Sequence, residues 1–171
     1  MNSRTQLTLF ATGPVAVRIE EIRKLLDPVQ FNLIAAHVTL CREDELDGLS
    51  AEALRRSLST PEARPLTLTF GVPESFSTHG ILLPCIEGEE NFRTLRHVVL
   101  GSAAARRQPP HITLAHPRNP KSAGNSLAAA SRLGSGAGIR FDSVCLIQQD
   151  GVSPWRVVQR FELPGAVARD A

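Results

Sequence analysis

Aromatic side chains are scarce in this chain of 171 residues, which has no tyrosine and a single tryptophan, Trp155. Proteins that grip single-stranded nucleic acid by stacking its bases use several aromatic side chains for that purpose. Such a stacking surface is therefore not expected here. Trp155 itself begins an apolar stretch, WRVVQRFEL, and is predicted to belong to the core.

Cysteine is also rare. Cys41, Cys85 and Cys145 lie far apart and form no CxxC pair, and an odd number without metal-type spacing argues against a disulfide scaffold or a zinc site. The sequence has no HExxH motif and no clustered histidines and carboxylates that would indicate a metal centre. We therefore expect reduced thiols, no metal and no other cofactor.

Long apolar runs are absent from the sequence. The first residues, MNSRTQLTLFATG, contain only a brief apolar run before Gly13-Pro14, whereas a membrane span needs about 20 apolar residues. The sequence thus predicts a cytoplasmic protein with no membrane partner, and nothing in it indicates an obligate protein partner. No linker divides the chain, so one bilobal domain over residues 1–171 is expected, with residues 164–171 as a frayed tail.

The net charge of +2 does not by itself indicate that the protein binds nucleic acid. The charge is nevertheless uneven, because residues 86–171 carry 11 basic and 7 acidic side chains. Two interpretations are open: a solvated arginine-rich surface, or the wall of a cleft that receives phosphate. The basic residues concerned are Arg93, Arg96, Arg106, Arg107, Arg118, Lys121 and Arg132.

Apolar periodicity predicts short strands mixed with amphipathic helices, which is typical of an α+β fold with a largely antiparallel sheet. Helices are predicted from Pro14 to about Asp27, over 50–59, over 89–100 and over 121–133. Strands are predicted in QLTLFAT, HVTLC, PLTLTFG, SFSTHGILLPC (two strands), PPHITLA, IRFDSVCLIQQ and WRVVQRFEL, the last two as a hairpin around Asp150-Gly151.

A short motif appears once in each half of the chain, as HVTL from residue 37 and HITL from residue 111. Side chains alternate along a strand, so the histidine and the threonine of each motif share one face while the two apolar residues share the other. Each strand would then bury its apolar pair and present an imidazole and a hydroxyl. Two such strands side by side would form a site with two imidazoles and two hydroxyls.

This set of groups suits phosphodiester cleavage. The reaction needs a base for the attacking oxygen and an acid for the leaving oxygen, and histidine can serve in either role near neutral pH. Threonine hydroxyls can donate hydrogen bonds to the nonbridging phosphate oxygens. The alternative is that His37 and His111 are structural histidines, as a lone strand histidine commonly is. The same motif occurs twice, each time in a predicted strand with apolar residues at the alternate positions, and this repetition favours the catalytic interpretation.

The paired motifs, their spacing and the order of elements resemble the 2H phosphoesterase superfamily, within it the bacterial 2′-5′ RNA ligase and cyclic phosphodiesterase-like group. The resemblance extends over nearly the whole chain. It implies a bilobal α+β fold with two mostly antiparallel sheets around a central cleft, helices outside and a pseudo-twofold axis. It also implies metal-independent cleavage of 2′,3′-cyclic phosphates or 2′-5′ linkages, with His37 and His111 as the catalytic pair and Thr39 and Thr113 as phosphate-binding residues.

The sequence departs from the family pattern in two places. Ala36 stands where many members have proline, and His116 stands where RNA-ligase-like members often carry arginine. Arg118 or His116 could supply the missing cation, and Arg42 could line the cleft or belong to a charged rim.

The substrate expected from the resemblance is a small nucleotide or an RNA-terminal cyclic phosphate. Two alternatives stay open. One is a nucleotide-binding module of the same fold with little turnover, and the other is a cyclic phosphodiesterase acting on a non-RNA nucleotide metabolite.

Overall fold

The computed structural model describes residues 3–101 and 106–166. Its helices are α1 (Gly13–Leu26), α2 (Pro28–Leu33), α3 (Ala51–Leu58), α4 (Glu89–Leu100) and α5 (Leu127–Ala130), with 3₁₀ helices at Glu43–Glu45 and Ser131–Leu133. Its strands are β1 (Ser3–Phe10), β2 (His37–Cys41), β3 (Leu66–Phe70), β4 (Glu74–Phe76), β5 (Gly80–Glu87), β6 (His111–Ala115), β7 (Ala137–Phe141), β8 (Ser143–Asp150) and β9 (Arg156–Glu162).

The strands follow the order β7-β3-β5-β6-β2-β1-β8-β9, with β4 paired to β5. Every strand pairing within the described residues is antiparallel. The pairing at the centre of this order is the least extensive, because β2 and β6 share a single paired position, Val38 opposite Ile112. The molecule therefore has two antiparallel halves that meet at the two motif strands. The predicted α+β bilobal fold is confirmed.

The core lies on the side of the motif strands that faces the helices. Val38, Leu40, Ile112 and Leu114 are all fully buried, as the alternation of the two motifs predicts. Helix α1 packs against β6 and α4 packs against β2. Each motif strand is thus covered by the helix that precedes the other motif.

Most predicted elements are confirmed with small shifts at their ends. The helix predicted over 50–59 is α3, in which Leu54 and Leu58 are buried, and the helix over 89–100 is α4. The strand predicted in PLTLTFG is β3. The hairpin around Asp150-Gly151 is formed by β8 and β9. A further helix, α2, was not expected; Asp27 begins it by accepting a hydrogen bond from the backbone N–H of Gln30 at 2.9 Å.

The helix predicted over 121–133 is wrong for its first half. The hydroxyl of Ser122 donates to the carbonyl oxygens of Leu25 and Leu26, which end α1. Gly124 lies so close to Leu25 that a Cβ atom there would come within 2.5 Å of its side chain. These contacts hold the segment as a loop, and helix α5 starts only after Ser126, whose hydroxyl accepts from the N–H of Ala129.

The single strand predicted in IRFDSVCLIQQ is also wrong, because the chain changes partners at Asp142. Before it, β7 pairs with β3 in one half of the sheet; after it, β8 pairs with β1 and β9 in the other half. The carbonyl oxygen of Asp142 accepts from the N–H of Leu163 at 2.9 Å. Of the predicted frayed tail, residues 164–166 form a turn after β9, and residues 167–171 lie outside the described residues.

Candidate active site

The junction of β2 and β6 brings the two motifs together. Because Val38 lies opposite Ile112, antiparallel pairing sets His37 against Thr113 and Thr39 against His111. All four side chains are half-buried, in contrast to the fully buried residues between them. The two imidazoles therefore stand diagonally across the junction on one face, a separation of roughly 7–8 Å between backbone positions in a regular sheet.

A cavity of about 340 Å³ opens on this face. It receives all seven side chains that the sequence singles out: His37, Thr39, Arg42, His111, Thr113, His116 and Arg118. Of the basic residues in the second half of the chain, only Arg118 lines this cavity within the described residues. Arg106 and Arg107 instead line a second pocket, which shares Arg42 and His111 with the first, and Arg96 is buried.

Both histidine rings are oriented in the same way. Nδ1 of His37 lies 2.8 Å from the carbonyl oxygen of Ala35, and Nδ1 of His111 lies 3.1 Å from that of Pro109. A carbonyl oxygen can only accept, so Nδ1 carries the proton in each ring. Nε2 is then the nitrogen available for proton transfer at the cavity, unprotonated in the neutral ring and protonated in the cation.

Burial makes His37 a weak base. Its pKa is lowered to about 4: burial is the largest cause, the positive charges of Arg23 and His111 add to it, and the hydrogen bond to Ala35 opposes it. His37 is therefore neutral throughout the physiological range. The pKa of His116 is also lowered, by burial first and by the neighbouring Arg118 second.

A buried carboxylate fixes the loop that follows β6. Asp27, which is 2% exposed, accepts from the N–H of His116 at 2.9 Å and from the side-chain amide of Asn119 at 2.9 Å. The N–H of Arg118 in turn donates to Nδ1 of His116 at 3.2 Å. The loop residues of the cavity are thus held against the start of α2.

The far wall of the cavity was not predicted from the sequence. It is formed by Arg4 and Gln6 of β1, Gln149 of β8, and Trp155 just before β9. The guanidinium of Arg4 lies over the indole of Trp155, 5.5 Å from the ring centroid, and donates to Gln149. Alternation along β1 does place Arg4 and Gln6 on one face. The pairing of β1 with β2, however, joins segments that are distant in the sequence, and no local pattern predicts it.

Trp155 differs from the prediction that it belongs to the core. It is half-buried and packs against a small apolar cluster of Ile34, Cys145 and Ile147, while it also lines the cavity. Its backbone N–H donates to the carbonyl of Leu33 at 2.9 Å. The one indole of the chain is therefore available to a ligand in the cavity.

The structure also bears on the cysteines, on possible metal ligands and on possible membrane spans. All three cysteines are free. Within residues 3–101 and 106–166, no three histidine, cysteine or acidic side chains are grouped as a metal ion would require. Nor does this part of the chain contain a helix long and apolar enough to cross a membrane.

Solved structures with the same fold include E. coli LigT and a protein described as a phosphoesterase. E. coli LigT complexed with 3′-AMP superposes with a TM-score of 0.63 at 20% identity, covering 95% of this chain and 99% of that chain. E. coli LigT complexed with NADP+ gives 0.61 at 17% identity, with 94% and 98% covered. A structure described as a phosphoesterase gives 0.57 at 13% identity, with 95% and 99% covered.

The fold shared with these structures and a match to a family model together define a 2H phosphoesterase type of protein. The model of the 2′-5′ RNA ligase superfamily matches residues 12–153, and the chain belongs to this superfamily. No curated protein sequence matches the chain.

Proposed function

We propose that the protein is a metal-independent phosphodiesterase that hydrolyses 2′,3′-cyclic phosphates, or related 2′-5′ diesters, of RNA ends or nucleotides. The observation that carries this proposal is that two imidazoles, each with Nδ1 hydrogen-bonded to a backbone carbonyl, line one cavity together with two threonines. Membership of a superfamily of phosphoesterases and ligases agrees with it. So do the phosphate and 3′-AMP complexes of the structurally similar LigT.

In the proposed reaction, the phosphate lies between His37 and His111. His37, which is neutral, accepts a proton from water as the water oxygen bonds to phosphorus. The bond from phosphorus to one ribose oxygen breaks, and protonated His111 gives its Nε2 proton to that oxygen. The product is a phosphomonoester, and proton exchange with solvent restores both rings. Thr39 and Thr113 donate to the nonbridging oxygens.

The far wall of the cavity suits the nucleoside. Trp155 offers an apolar ring face next to the cation of Arg4, and Gln149 and Gln6 offer hydrogen-bonding groups nearby. A cavity of about 340 Å³ is at the small end of the range for ligand pockets. We therefore propose that one nucleotide unit at a time occupies it.

The test is a hydrolysis assay with 2′,3′-cyclic AMP in the presence of a chelator, with the product identified by chromatography. We expect turnover to a single phosphomonoester. Calorimetry with 3′-AMP, run in parallel, measures binding alone. Binding without turnover would support the alternative of a nucleotide-binding module. Turnover of nucleotides but not of oligonucleotides ending in a cyclic phosphate would favour a non-RNA metabolite as the substrate.

Burial of His37 leads to a pH prediction. A general base must be neutral, and His37 loses its proton above a pKa of about 4 rather than 6.5. On the acid side of the pH profile, we expect kcat/KM to fall by tenfold per pH unit only below about pH 4, where His37 becomes protonated. The unfolded state binds the proton of His37 more tightly, so stability also declines as pH falls below 6.5. Circular dichroism at each pH separates the two effects, and an acid limb near pH 6.5 would contradict the assignment of His37 as the base.

A further inference from the structure

Two arginines lie fully inside the protein next to the motif strands. The side chains of Arg23 on α1 and Arg96 on α4 are 0% and 2% exposed. Each is paired with a glutamate at 2.6 Å, Arg23 with Glu20 and Arg96 with Glu45. Arginine is rarely buried unless paired, and a buried ion pair is often no more stabilising than apolar residues of similar volume. These pairs therefore call for an explanation other than stability.

Arg23 and Glu20 together hold both motif strands. Nε of Arg23 donates to the carbonyl oxygen of Thr113 in β6 at 3.2 Å, and one of its amino groups donates to that of Ile34 at 2.8 Å. The carboxylate of Glu20 accepts from the backbone N–H of Ala36, the residue before His37. One ion pair thus links the entry to β2 with the strand that carries His111.

Arg96 and Glu45 form an equivalent set of contacts at the other end of β2. Arg96 donates to the carbonyl oxygen of Leu40 in β2 and, at 3.0 Å, to that of Arg106 in the segment leading to β6. Glu45 accepts from the backbone N–H of Arg42 at 3.0 Å. The second ion pair therefore links the exit of β2 with the entry to β6.

The two arginines are related by the same pseudo-symmetry as the motifs. Arg23 precedes His37 by 14 residues, and Arg96 precedes His111 by 15. Because β2 and β6 share one paired position, the ladder between them fixes their relative placement poorly. The two ion pairs, called clamps below, add hydrogen bonds between the two strands and the segments that flank them, where the strands themselves share few.

We propose that Arg23 and Arg96, each with its glutamate, are positioning residues. They hold β2 and β6 in the register at which both imidazoles can contact the same phosphate. The inference rests on the function proposed above. Neither arginine lines the cavity, so both act through the strands.

The positioning role is tested first without turnover. The double variant Glu20→Gln/Arg23→Met removes both charges at similar volume, and the amide oxygen of the introduced glutamine can still accept from the N–H of Ala36, so folding is retained. Amide hydrogen exchange at residues 36–40 and 111–115 should be faster than in the natural protein. The pKa of His37, followed by NMR of its ring proton, should rise because the charge of Arg23 lowers it.

Two further variants separate charge, geometry and packing. Arg23→Lys keeps the charge but cannot donate to separate carbonyls in the same planar geometry, so the pKa of His37 should stay near that of the natural protein while kcat falls. The matched control is Ile19→Ala, a buried α1 residue, which should lower stability but leave kcat and the pKa of His37 unchanged.

In the assay with 2′,3′-cyclic AMP, we expect the double variant and Arg23→Lys to lose about tenfold or more in kcat with little change in KM. The clamp proposal is overturned if the folded double variant keeps the exchange rates, the pKa of His37 and the kcat of the natural protein. It is overturned equally if Ile19→Ala reproduces all three changes. Absence of turnover in the natural protein would instead count against the proposed function, since the exchange and NMR results do not depend on it.

Discussion

Replacement of His37 or His111 by alanine is expected to lower kcat for 2′,3′-cyclic AMP hydrolysis by about 10²–10⁴-fold in each case. Each change removes one of the two imidazoles that line the cavity, and with it one of the proposed proton-transfer groups, while leaving the other in place. Both rings are half-buried, and among the described residues each is hydrogen-bonded to the carbonyl two residues before it, just ahead of its strand, so the fold should tolerate the changes. The measurement is steady-state kinetics at about pH 7 on protein shown to be folded.

The matched control is His97→Ala, the same chemical change on α4 outside the cavity. It should keep the kcat of the natural protein. A double variant lacking both His37 and His111 should be little worse than either single variant, because one acid–base pair acts as a unit. Unchanged turnover in both single variants would refute the assignment of the two histidines.

The motif strands were predictable because their pattern is local. Alternation alone puts Val38 and Leu40 inside and His37 and Thr39 on the opposite face, and the structure agrees. Amphipathic spacing likewise predicts α3 and α4. What could be predicted is thus the information that a short stretch of residues carries by itself.

Other parts of the site depend on distant partners. Arg23 lies within the apolar stripe of α1, yet its charge alone would place it at the surface; it is buried because Glu20 and three backbone carbonyls receive its donors. Trp155 lines the cavity because its N–H bonds to Leu33, which is far away in the sequence. The partner change at Asp142 similarly follows from strand neighbours that no local pattern identifies.

Replacement of Thr39 or Thr113 by valine should lower kcat by about 10²–10³-fold, which is typical of losing one donor to the developing charge of a transition state. Valine has nearly the shape of threonine and suits a strand, so the hydroxyl is the only group removed. The hydroxyls face the phosphate in the proposed complex, so affinity for 3′-AMP, measured by calorimetry, should fall as well.

Thr67→Val serves as the control for the threonine variants, since Thr67 is an exposed residue of β3 that does not line the cavity. It should leave both measurements unchanged. Thr39 and Thr113 lie diagonally across the junction of β2 and β6, and each is opposite the histidine of the other motif. If the hydroxyls bind the phosphate, the loss in affinity should be seen with inorganic phosphate alone. A loss confined to nucleosides would instead show that the threonines contact the sugar or the base.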